Sequence, residues 1–151
     1  MEKKFNGNIN IIISNKLIQN ADLLNKIICL VTNVYSEKDA ELFRKEVSSN
    51  PHIIIVYMEL NDSVIGLGCV CKSHISDDVY EFFWGMIHKK YRGNGWGKIL
   101  NDRRLEWVIK HNTKSNIIVV TKSPWHLTRS GFEIIKQLKP DGEVLMYRKL
   151  I

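Results

Sequence analysis

The spacing of apolar residues changes period several times along the chain, and each change marks an element. Asn8 to Ser14 reads as a short first strand. From Ala21 onward Leu23, Leu24, Ile27, Ile28, Val31 and Val34 recur at helical spacing, which predicts a helix to about Tyr35. A second helix is predicted over Glu37 to Val47, with Ser36 as its N-cap and Ser49-Asn50-Pro51 as its stop. The period then shortens. His52 to Leu60 and Val64 to Cys71 read as a hairpin about the Asn61-Asp62 turn. A polar stretch, Ser73 to Asp78, leads into the aromatic-rich strand Val79 to Ile87. Alternation along that strand puts Phe82 and Trp84 on one face and Phe83 on the other. Beyond a cluster of glycines, Trp96, Ile99, Leu100, Arg103, Trp107 and Val108 are expected to share one face of a helix ending near His111. Asn116 to Thr121 is a β-branched run typical of a buried strand. A short helix over Ser123 to Ser130 follows. Phe132 to Leu138 and Glu143 to Leu150 then form a last pair of strands around Pro140-Asp141-Gly142.

The predicted order, β-α-α-β-β-β-α-β-α-β-β, is an α/β or α+β pattern with a mixed sheet. Its early strands are antiparallel. The step from strand 79–87 through helix 97–111 to strand 116–121 is long enough for a right-handed parallel crossover. At 151 residues, residues 1–151 are expected to form one domain. A content of 44% hydrophobic and 25% charged residues excludes general disorder and coiled-coil composition. Lys and Arg number 22 against 16 Asp and Glu, for a formal net charge of +6, which favours anionic partners without choosing among them. Three cysteines, Cys29, Cys69 and Cys71, make no disulfide framework and suit a reducing compartment. The longest apolar run, Ile53 to Met58, is far short of a membrane span, and no signal-peptide pattern is present. The expectation is a soluble, cytoplasmic protein.

The informative stretch is Ile87 to Lys98, between a strand and a helix. Gly93, Gly95 and Gly97 let the backbone turn sharply and approach a ligand without Cβ obstruction. The first helical N–H groups then point outward at the positive end of the helix dipole, which is a receptor for phosphate or diphosphate. Arg92 and Lys98 add formal charge. A P-loop fails here, because Arg92 stands where its first Gly belongs and Ile99 where it needs Ser or Thr. A Rossmann fingerprint fails as well, because its third Gly position falls on Lys98 or Leu100.

Arg92-Gly93-Asn94-Gly95-Trp96-Gly97 does match the [Gln/Arg]-x-x-Gly-x-[Gly/Ala] loop, and the chain resembles the GNAT superfamily of acyl-CoA N-acyltransferases. Gly131-Phe132 falls where the family usually places a Gly-Phe pair, and the element order agrees over nearly the whole chain. The resemblance implies a mostly antiparallel sheet with helices on both faces, whose one parallel strand pair splays apart. It implies that acetyl-CoA is the co-substrate; no metal is expected, because the histidines lack ligand spacing. The backbone of Met86 and Ile87 would pair with the pantetheine arm. The loop Arg92, Gly93, Asn94, Gly95, Trp96, Gly97 and Lys98 would cradle the diphosphate.

The chemistry sets its own requirements. A Lys-like amine with a pKa near 10.4 is neutral in only roughly 4 of 10,000 molecules at pH 7, a deficit of about 4.6 kcal/mol. A base, or a water chain led by one, removes the proton as the amine attacks. A strand-end N–H such as that of Ile87 is a candidate donor for the developing oxyanion. Glu81 is the candidate base: it is the only acid within its strand, and the histone-acetylating branch of the family carries a catalytic Glu in the equivalent place. Asp77 and Asp78 are the alternatives. Many family members carry a Tyr acid four residues before the Gly of Gly-Phe, where this chain has Leu127, and Ser123-Pro124 stands where an Asn is usual. His126, Thr128, water or the attacking amine itself is left to protonate the sulfur.

Two other readings stay open. Lys89, Lys90, Arg92, Arg103, Arg104 and Lys110 form the main basic concentration, which would also suit a nucleic-acid-binding module. Leu127 leaves room for a CoA-binding protein without turnover. Trp125 is assigned either to the acceptor site or to the core. The five histidines show no metal-ligand spacing. The acceptor amine and the oligomeric state, including a homodimer, are not specified by the sequence.

Overall fold

The computed structural model describes residues 3–74, 76–112 and 115–150. The elements are β1 (Asn8–Ile13), α1 (Ser14–Leu17), α2 (Ala21–Val34), α3 (Glu37–Ser49), β2 (Ile54–Leu60), β3 (Ser63–Lys72), β4 (Val79–Ile87), α4 (Trp96–His111), β5 (Asn116–Thr121), α5 (Trp125–Arg129), β6 (Glu133–Gln137) and β7 (Val144–Lys149). One turn of 3-10 helix, Lys89–Tyr91, lies between β4 and α4. The strands form a sheet in the order β1-β2-β3-β4-β5-β7-β6. Every neighbouring pair is antiparallel except β4 and β5. The mixed α/β sheet expected from the element order, and the mostly antiparallel pairing implied by the resemblance, are therefore present. The last hairpin places its second strand inward, so β7 separates β6 from β5.

Helix α1 is absent from the sequence reading. Ser14 ends the strand and starts the helix, because its hydroxyl is fully buried and committed on both sides. It donates to the Asn50 carbonyl at 2.5 Å and accepts from the Ile53 N–H at 3.1 Å.

One face of the sheet is covered by α2 and α3, where Ile27, Val31, Phe43 and Val47 pack with Ile55, Leu67 and Cys69. The other is covered by α4 and α5, where Leu105, Val108 and Leu127 pack with Phe82, Ile117 and Met146. Both long helices of the first layer are capped: Asn20 Oδ1 accepts from Leu23 N–H, and Ser36 Oγ from Asp39 N–H. Ser36→Ala should cost about 1 kcal/mol, the usual value of an N-cap hydroxyl. The check is a lower denaturation midpoint in urea with an unchanged slope.

The buried stripe of α4 differs from the expected one. Trp96, Leu100, Asn101, Arg104, Leu105 and Val108 are buried, whereas Arg103 is exposed and pairs with Glu106 at 3.0 Å. Arg104, counted above with the basic surface, is only 3% exposed. It lies on the sheet side because glycines on two strands make space for it. Among the described residues, no helix is long and apolar enough to cross a membrane.

Candidate active site

β4 and β5 pair from Val79 and Asn116 only as far as Phe82 and Val119. β4 continues to Ile87, so its edge beyond Phe82 opens onto a gap. His88 N–H donates to the Ile65 carbonyl of β3 at 2.8 Å. Adjacent residues along a strand turn their N–H groups to opposite edges, so Ile87 N–H faces the gap. The Ile87 carbonyl accepts from Arg92 Nε at 3.0 Å, which ties the strand end to the following loop.

A β-bulge lies in the middle of this edge. Leu67 pairs with Met86 but Cys69 with Phe83, so Trp84 and Gly85 together stand opposite Gly68. Trp84 has φ +53°, a left-handed conformation that a bulky side chain rarely adopts. The expected alternation therefore breaks. Phe82 packs with the α4–α5 layer, whereas Phe83 and Trp84 both pack toward α2 and α3. The Trp84 ring meets Phe43 edge-on at 5.5 Å and Tyr35 at 6.4 Å. Its indole N–H donates to Glu46 of α3.

The glycine loop follows the expected geometry. Gly93 and Gly95 have φ +85° and +79°, and a Cβ on Gly93 would meet none of the described residues within 4 Å. Gly95 is the N-cap of α4 and, among the described residues, no side chain caps that helix end. Uncapped first-turn amides beside open backbone fit an incoming diphosphate. Trp96 turns inward rather than toward a ligand: it is 8% exposed, stacks on Tyr91 at 5.9 Å and meets Phe5 edge-on at 4.9 Å. Its indole N–H donates to the Lys3 carbonyl at 2.9 Å, and Lys3 N–H donates to the Asn94 carbonyl at 3.0 Å. The segment before β1 thus clasps the loop, a role the sequence reading missed because residues 3–5 carry no periodicity. Asn94 Nδ2 donates to the Tyr91 carbonyl at 3.1 Å, and Lys98 Nζ reaches Asp102 at 2.6 Å.

Glu81 stands one residue before the last paired position of β4, opposite Cys71 of β3. It is half-buried and accepts from Ser73 Oγ at 2.9 Å. Burial pushes the Cys71 thiol up to about 11, and the Glu81 and Glu46 carboxylates push it the same way. Two carboxylates therefore share the surroundings of one thiol on the α2–α3 side. Glu46 escaped the sequence reading because only the bulge brings its partner Trp84 to that face. Asp77 and Asp78 lie before the start of β4, at the end away from the gap.

On the α4–α5 face, Phe132 is buried and its ring lies 5.6 Å from Phe82. Leu127 belongs to the same apolar cluster, which explains why that position carries no hydroxyl. Trp125 is 56% exposed, so it is not a core residue. His126 sits over the start of α4, its ring 3.6 Å from where a Cβ on Gly97 would be. Burial first, and then Arg129, hold its pKa below the usual histidine value, which favours neutral imidazole at pH 7.

Residues 20–132 match the Acetyltransferase (GNAT) family. No curated protein matches the sequence. Among solved structures, Escherichia coli ElaA aligns with a TM-score of 0.77 at 14% identity, covering 95% of this chain and 99% of that one. An aminoglycoside 6'-N-acetyltransferase complexed with coenzyme A aligns at 0.75 and 16% identity, covering 94% and 97%. The aminoglycoside 6'-N-acetyltransferase of Enterococcus faecium aligns at 0.76 and 15% identity, covering 95% and 97%. At such identities these structures share the fold alone. The family match spans most of the chain and includes the splayed strands, the bulge and the uncapped helix, and on that match the protein belongs to the GNAT family of acetyltransferases.

Proposed function

We propose that this chain is an acetyl-CoA-dependent N-acetyltransferase that moves an acetyl group to a primary amine by direct attack in a ternary complex. The observation that carries the reading is the open β4 edge, which leads from Phe82 to the uncapped end of α4. The gap-facing backbone of Ile87 would hold the pantetheine arm, whereas the adjacent Met86 turns its backbone to Leu67 of β3 and is not available for it. The amides of Gly93 through Lys98, with the Arg92 and Lys98 side chains but not the inward Trp96 ring, would hold the diphosphate. Bound there, acetyl-CoA supplies an activated acyl group with a thiolate leaving group. Ile87 N–H offers a donor where negative charge develops on the carbonyl oxygen.

Glu81 takes the amine proton. A strand rises about 3.3 Å per residue, so its carboxylate serves the closed end of the gap and reaches the attacking amine through water. Glu46 and the Trp84 ring, on the same face, suit a cationic acceptor. His126 is the remaining side-chain candidate for protonating the sulfur. Its neutral bias and its seat over Gly97 favour instead a hydrogen bond toward the diphosphate, with solvent protonating the thiolate.

The test couples binding to turnover. Coenzyme A at thirty times its Kd should stabilise the protein by about 2 kcal/mol, a rise in Tm of roughly 4–8 °C. Thiol release from acetyl-CoA should then rise with one member of a panel of polyamines, aminoglycosides, lysine peptides and N-terminal peptides. No shift with coenzyme A or acetyl-CoA overturns the assignment. A shift without thiol release from any amine reduces it to coenzyme A binding.

A further inference from the structure

We propose that Arg104 is a positioning residue of the transfer site, its guanidinium holding the β4 bulge and, through it, the open strand edge at residues 85–87. The inference rests on the function proposed above for that edge.

Arg104 projects from the middle of α4 into the sheet and is 3% exposed. No described carboxylate pairs with it. Its Nη1 donates to the Cys69 carbonyl at 3.3 Å and its Nη2 to Asn101 Oδ1, while Nε has no hydrogen-bond partner among the described residues. The guanidinium lies over the Phe82 ring at 4.2 Å. Burying a cation without a counter-ion is costly, and apolar side chains of similar volume commonly replace such groups with no loss of stability. Core filling alone therefore does not account for an arginine here.

The surroundings point to the bulge. A Cβ on Gly68 would stand 2.7 Å from Nε, and a Cβ on Gly85 would stand 3.0 Å from Nη2. Gly68 and Gly85 are the residues that face each other across the register slip. Phe82 is the last β4 residue to pair with β5. The carbonyl that the buried guanidinium reaches, that of Cys69, is also there, where the register resumes. Both glycines, the bulge and the end of strand pairing thus converge on one side chain. A left-handed Trp84 persists only where its surroundings over-determine it. Arg104 supplies that constraint from the α4 side, as Phe43 and Glu46 do from the other.

The experiment uses the full chain with Arg104→Met, Arg104→Lys and Gly68→Ala, the last displacing the guanidinium without removing its charge. Hydrogen exchange read by mass spectrometry should rise at least tenfold over residues 82–88 in Arg104→Met, with β1 and β2 unchanged. Turnover at saturating acetyl-CoA and the best panel amine should fall at least tenfold, a larger factor than any rise in the coenzyme A Kd. Arg104→Lys should recover part of that loss, and Gly68→Ala should reproduce it. Adding Gly68→Ala to Arg104→Met should cause no further fall. Unchanged exchange over 82–88 overturns the proposal, as does unchanged kcat in folded Arg104→Met. So does a loss confined to coenzyme A affinity. If the parent releases no thiol with any amine, the proposed function fails, and the exchange arm alone decides whether Arg104 holds the bulge.

Discussion

Gly95→Glu should raise the Kd for coenzyme A at least a hundredfold while the protein stays folded. Gly95 holds φ +79° at the N-cap of α4, in the region where L side chains are disfavoured by roughly 1–2 kcal/mol. A glutamate there adds a carboxylate to a helix end whose exposed amides carry the partial positive charge. Against a diphosphate about 5 Å away at an effective dielectric near 20, each unit of like charge costs about 3 kcal/mol. A hundredfold change requires only about 2.7 kcal/mol, so the charge alone suffices. Gly95→Ala separates the causes: it keeps the backbone strain without the charge and should cost roughly tenfold. Titration calorimetry at low ionic strength reads both. A Gly95→Glu protein that binds coenzyme A like the parent would show that the diphosphate does not lie on this helix end.

That loop was readable from sequence because its requirements are local. Three alternate glycines after a strand and before an amphipathic pattern leave few conformations, and two of them carry the positive φ angles that glycine permits. Apart from α1, the strand and helix types were equally legible, since they follow from periodicity. The bulge was not. Nothing in Phe82-Phe83-Trp84-Gly85 distinguishes regular alternation from a one-residue slip; the slip is decided by Gly68 on β3, Phe43 and Glu46 on α3, and Arg104 on α4, far apart in the chain. The same non-local packing hid the inward turn of Arg104. On α4 its neighbour Arg103 fits the helical face almost as well, and only the pair of glycines across two strands selects between them. The clasp of Lys3 and Phe5 on Trp96 was invisible for a related reason, because it joins residues some ninety positions apart.

Glu81→Gln should lower turnover by roughly 10²–10⁴-fold, the range general-base catalysis contributes, and leave coenzyme A affinity intact. The substitution keeps the shape of the side chain, and a glutamine oxygen still accepts from Ser73 Oγ, so the β3–β4 contact survives. What is lost is the ability to take a proton from the amine. The deficit should therefore depend on pH in a defined sense. Near pH 7 almost all the amine is protonated and the base is needed; toward the amine's own pKa near 10.4 the free amine accumulates and the need disappears. The ratio of parent to variant kcat/KM should shrink as pH rises. A purely structural role would give a ratio that stays constant with pH. Glu46→Gln offers the contrast, because Glu46 sits against Trp84 rather than at the end of strand pairing. It should raise the KM for a cationic amine more than it lowers kcat, since it removes attraction for the bound cation while the proton route through Glu81 remains.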